Sequence, residues 1–218
     1  MFPSSSLLGL PTAVWLLIVA ALVALTVLAL SKELNTREIS VIAVLVSACL
    51  ASNYALIWLP NVKVMDLIVF VSGLRFGAFI GGIVGILVWA IYGSINPYGF
   101  VLPIWLGCMA AESLFGVTGG LVRAYSLVNS SNRRRLSLEM AVIGVLLTFV
   151  YDLATNLLSA LTISWFETRI ETILAVIISG IPFAVAHEVS NGILFSLGVG
   201  PLSSSIEKIA GSGVRGTE

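Results

Sequence analysis

Long apolar runs alternate with short polar connectors along almost the whole chain. The runs are Pro11–Ser31, Ile39–Leu59, Met65–Tyr92, Val101–Val122, Met140–Ile163 and Ile173–Leu197. A helix rises about 1.5 Å per residue, so about 20 apolar residues cross a hydrocarbon layer of ~30 Å, and every run meets that length. The pattern predicts an all-α, polytopic transmembrane helical bundle. Polar connectors fall at Ser31–Arg37, Pro60–Val64, Gly93–Phe100, Tyr125–Leu138 and Trp165–Glu171, and a polar tail begins at Ser203.

Met65–Tyr92 is apolar except for Asp66 and Arg75, and reads either as one tilted helix or as two helices turning near Arg75. Charge asymmetry separates the two, because basic residues concentrate on the cytoplasmic side. With two helices there are seven spans. Lys32, Arg37, Arg75, Arg123, Arg133, Arg134, Arg135, Lys208 and Arg215 then share one side, and Lys63 and Arg169 the other. With one helix the split weakens and Arg75 is stranded at mid-membrane, which costs several kcal/mol. The two-helix reading places the N-terminus outside and the C-terminus in the cytoplasm of a cell-membrane protein. The uncharged stretch Met1–Ser31 lacks the positive start of a signal peptide, so Pro11–Ser31 reads as a retained helix.

Composition sharpens this picture. Hydrophobic residues make up 58% of the 218 and charged residues 10%, and the mean hydropathy is +1.07. A water-soluble domain carries about 25% charged residues. The formal net charge is zero, so nucleic acid is not an expected partner. Cys49 and Cys108 lie far apart with no Cys/His cluster, and a single histidine cannot build a metal cage, so neither metal nor cofactor is expected. No P-loop, Gly-x-Ser-x-Gly or His-Glu-x-x-His motif occurs.

Two ladders of small residues recur at four-residue spacing: Gly73, Gly77, Gly81, Gly85, and Ala43, Ser47, Ala51, Ala55. This spacing stacks small side chains on one helix face and lets another helix approach closely. Either ladder serves packing within the chain or docking of a partner. Charges inside the later spans are few: Glu112, Asp152, His187 and Glu188. Intramembrane charges face a cavity or a partner. Asp152 and Asn156 share a helix face, as do His187 and Asn191. These facing polar stripes suit a buried structural network or a pocket. Asn96, Tyr98 and Trp105 cluster near one connector, with Tyr92, Trp165 and Phe166 at other helix ends. They suit interfacial anchors or a pocket that stacks on a ring.

In order and spacing these features resemble the substrate-binding S component of energy-coupling factor (ECF) importers of micronutrients. The resemblance runs from Arg37 to Leu202. It rests on the Ala43–Ala55 ladder, Asp66 opening a short helix, Gly73-Leu74-Arg75-Phe76-Gly77 before Gly81-Gly82-x-x-Gly85, Tyr151-Asp152-Leu153-x-x-Asn156, and His187-Glu188-x-x-Asn191-Gly192. It implies a six-helix core over residues 32–202, an extra N-terminal helix over 1–31 and a polar cytoplasmic tail over 203–218. It further implies that a vitamin-like solute binds from outside, between the later helices, through Glu112, Asp152, Asn156, His187 and Asn191, with Asn96, Tyr98 and Trp105 above. The ladder Ala43, Ser47, Ala51, Ala55 is then the docking face for a transmembrane coupling subunit, which two cytoplasmic ATPases drive. Nickel- and cobalt-importing relatives begin Met-His, whereas this chain begins Met1-Phe2, which favours a vitamin or its precursor. Two other classes remain open: an intramembrane enzyme using the buried carboxylates, and a non-catalytic assembly factor.

Overall fold

The computed structural model describes residues 34–95, 101–128, 132–163 and 170–210. These form helices α1 (Thr36–Ala55), α2 (Val64–Phe76), α3 (Ala78–Ile95), α4 (Leu102–Ala124), α5 (Arg133–Ile163) and α6 (Ile170–Ala210). No strand occurs among the described residues. The expected helix Pro11–Ser31 lies outside them.

Each boundary has a local cause. Asn35 caps α1 in a reciprocal box: its side chain accepts from the Glu38 N–H at 3.0 Å, and Glu38 accepts from the Asn35 N–H at 2.9 Å. The run Met65–Tyr92 breaks in two at Gly77, whose φ of 96° is a left-handed conformation that glycine adopts freely. Arg75 therefore sits at a helix end rather than at mid-membrane. It donates to the Ser203 carbonyl at 3.1 Å and pairs with Glu207. Ser203 opens the expected polar tail, but α6 carries on as helix through Ala210.

Five of the helices are long and apolar enough to cross a membrane: α1, α3, α4, α5 and α6. The thirteen residues of α2 reach only about 20 Å at ~1.5 Å per residue, short of a ~30 Å hydrocarbon layer. Of the two helices expected from Met65–Tyr92, α2 is the shorter, and its residues Met65–Gly73 are all buried by its neighbours. The outer faces of α5 and α6 carry exposed Leu153, Leu157, Ile178, Phe183 and Val185, and Leu197 is 69% exposed. Apolar surface of that extent belongs in lipid. The chain is an all-helical, multi-pass membrane protein.

Glycines set the packing of α2, α3 and α4. A Cβ built on Gly73 would lie 1.8 Å from the Gly116 oxygen, and one on Gly116 would lie 2.1 Å from the Gly81 carbonyl carbon. Three backbones therefore touch with no side chain between them, the close approach that small residues permit. Phe70, Phe115 and Phe195 fill the space beside this crossing, with ring centroids 5.1 and 6.2 Å apart for Phe70–Phe195 and Phe115–Phe195. The glycine ladder thus serves internal packing. Ala43, Ser47, Ala51 and Ala55 instead all lie exposed along the outer face of α1.

Candidate functional site

The polar residues of the later spans converge on α2. His187 of α6 is fully buried between two carboxylates, with Nε2 2.7 Å from Asp66 Oδ2 and Nδ1 3.0 Å from Asp152 Oδ1. Each of these contacts needs one proton between nitrogen and oxygen, so the row Asp66–His187–Asp152 holds two. Asn191, one turn further on, donates to Asp66 Oδ2 at 2.6 Å and to Thr148 Oγ1 at 2.7 Å. Asn156, one turn from Asp152 on α5, lies against Gly180 of α6. The row therefore ties α2, α5 and α6 together. Its groups stand in line rather than around a point, and among the described residues no cluster is placed to hold a metal ion.

Glu112 of α4 is fully buried beside this row. Its Oε2 accepts from Trp89 Nε1 at 3.2 Å. Its Oε1 and the Oδ1 of Asp66 are both buried without a hydrogen-bond partner. Asp66 was visible in the sequence only as the polar start of a short helix. Its partners lie 121 and 125 residues away, and no local spacing reveals such a pairing.

Two cavities flank the bundle at opposite ends. One, of 1170 Å³, opens among Arg75, Arg123, Arg133, Met140, Phe195 and Glu207. The other, of 550 Å³, is lined by Asn53 of α1, the connector 56–63, Trp89 and Tyr92 of α3, Trp105 and Cys108 of α4, and Phe183 of α6. The second cavity sits above the N-terminus of α2, in the roughly 10 Å by which that helix falls short of a full span. Its aromatic wall is fixed by hydrogen bonds. Trp105 Nε1 donates to the Trp89 carbonyl at 2.9 Å, and Trp58 Nε1 donates to the Ala55 carbonyl at 3.1 Å. Gly93 lets the Trp105 ring lie on the α3 backbone: a Cβ there would be 2.3 Å from Trp105 Cδ1. The Lys63 ammonium lies over the rings of Trp89 and Tyr151, 5.3 and 4.9 Å from their centroids. Such cation–π contacts hold the charge at the edge of the cavity.

The sequence-derived candidates thus separate into two groups. Trp105 lines the 550 Å³ cavity. Glu112, Asp152, His187 and Asn191 lie in the buried network, and Asn156 lies beside it. Asn96 and Tyr98, like Trp165 and Phe166, fall outside the described residues. The structure adds Asn53, Trp58, Lys63 and Trp89 to the cavity. Of these only Lys63 falls in the polar connector 60–64, and no spacing in the sequence marked the other three.

Comparison with protein-family models, with curated proteins and with solved structures finds no match for this chain.

Proposed function

We propose that this protein is the membrane-embedded, substrate-binding subunit of an ECF-type micronutrient importer. The observation that carries this reading is the 550 Å³ aromatic-walled cavity at one end of the bundle. A concave, largely apolar site with a few placed polar groups is what a small-molecule binder requires. The exposed ladder Ala43, Ser47, Ala51, Ala55 offers a second surface, flat enough for the close approach of another membrane helix. In this reading the solute enters from outside. A coupling subunit docks on α1, and two cytoplasmic ATPases supply the energy that this chain has no motif to supply. In the six-helix core, α2 and its connector together make one crossing. The buried row Asp66–His187–Asp152 braces the floor below the cavity and does not touch the solute.

The test is copurification. Tagged protein extracted gently from native membranes should bring down a membrane subunit and ATPases, and native mass spectrometry should find a small molecule on it. Ala51→Trp places a large ring on the exposed α1 face. It should lose the partner subunits and abolish uptake while leaving the small molecule bound. Partner retention and unchanged uptake in Ala51→Trp would remove α1 as the docking face.

Orientation follows from charge. Arg75, Arg123 and Arg133 flank the larger cavity at one end, and Lys63 stands beside the smaller cavity at the other. The basic end is then cytoplasmic. In a variant lacking Cys49 and Cys108, a cysteine at Arg134 should resist an impermeant thiol reagent added to intact cells, and should react after permeabilisation. Reaction in intact cells would invert the topology and place the smaller cavity inside.

A further inference from the structure

We infer that the solute is a flat ring bearing an anionic group, the ring held against the Trp89–Trp105 wall and the anion at Lys63 and Asn53. The inference rests on the reading of the 550 Å³ cavity as the solute site. Two independent features of that cavity converge on negative charge. Lys63 lines it and forms no ion pair within 4.0 Å among the described residues, its ammonium lying over rings instead. Asn53 is 95% buried at 5% exposure, lines the same cavity, and its Nδ2 has no hydrogen-bond partner. A buried amide left without a partner costs about 1–3 kcal/mol, which a bound acceptor would recover.

Acid placement agrees with this. No Asp or Glu lines the cavity among the described residues. Asp66 stands in the first turn of α2 but does not line the cavity, and its Oδ2 is held by His187 and Asn191. Glu112 accepts from Trp89 Nε1 and does not line the cavity. A cationic ring solute would meet the Lys63 ammonium with no acid in the cavity wall to hold it. A neutral ring would leave both the ammonium and the Asn53 amide unanswered. The wall itself selects for planarity, because Trp89 and Trp105 are each tied by their ring N–H and cannot turn aside to admit a bulky aliphatic body.

The probes are three ligands sharing one ring: indole-3-acetate, indole-3-acetamide and tryptamine, titrated calorimetrically into the purified full-length protein. Indole-3-acetate should bind at least tenfold more tightly than the other two. Lys63→Gln should erase that preference, and Lys63→Arg should keep it. Asn53→Ala should weaken indole-3-acetate with little effect on tryptamine. If Lys63→Gln fails to fold, the Asn53→Ala and Lys63→Arg titrations decide the matter. Equal affinity for the three probes, measurable or not, overturns the proposal, as does preference for tryptamine. So does a copurifying solute that is cationic or lacks a ring. None of these results bears on copurification with a coupling subunit and ATPases, so a wrong solute class and a wrong function give different outcomes.

Discussion

Gly116→Val should be among the most damaging single substitutions in this protein. The added Cβ would lie 2.1 Å from both the carbonyl carbon and the oxygen of Gly81, and these are backbone atoms with no rotamer to change. Overpacking that side chains can absorb costs ~1–3 kcal/mol. A clash with backbone belongs at or above the top of that range. At roughly 2–4 °C per kcal/mol for a chain of this size, the melting midpoint in detergent should fall by about 6–12 °C. Gly200→Ala is the control, since a Cβ there meets nothing within 4 Å. It should melt with the wild type or slightly above it, alanine being the better helix former. If Gly116→Val melted with the wild type, the three-helix crossing would have to be redrawn.

His187→Leu should be comparably severe for a different reason. It leaves Asp66 and Asp152 facing a buried methyl group where each now has a ring nitrogen at 2.7 or 3.0 Å. Removing one partner of a buried charge pair costs about 3–5 kcal/mol, because the remaining charge is stranded. Asp152→Asn keeps the shape and retains an acceptor for His187 Nδ1, so it should destabilise far less. Both variants, where folded, should bind the solute with wild-type affinity, since neither residue lines the smaller cavity. Thermal unfolding paired with calorimetry separates the effects. A tenfold loss of affinity in a fully stable Asp152→Asn protein would move the pocket to the α5–α6 side.

The helices were legible in the sequence because lipid demands long apolar runs, and those leave an unmistakable trace. The break at Gly77 was legible too, through the electrostatic cost of leaving Arg75 in mid-membrane. The two small-residue ladders were not distinguishable from each other. Gly73 and Ala43 begin the same four-residue rhythm, and only the three-dimensional arrangement shows one ladder buried against α4 and the other facing outward. The polar stripes on α5 and α6 were read from spacing alone, and Asp152 does meet His187. Their third partner, Asp66, lies far away in the chain and left no such signal. The cavity was least legible. It arises from what α2 lacks, roughly 10 Å of length, and from the orientation of Trp89 and Trp105, fixed by hydrogen bonds to residues far along the chain.

The glycine crossing also bears on how such a chain can drift. A buried leucine that grows or shrinks can be answered by a neighbouring side chain. The carbonyl of Gly116 that meets Gly73 has no such neighbour, because what touches is the peptide itself. Second-site repair is closed off there, and a lineage must keep the glycines or shift an entire helix. The wall of the smaller cavity is under no such restriction, since its indoles and amide can be exchanged one at a time as the solute changes. Distant kin should therefore be traced by the spacing of Gly73, Gly81, Gly85, Gly116, Gly119 and Gly120 rather than by the residues that hold the ligand.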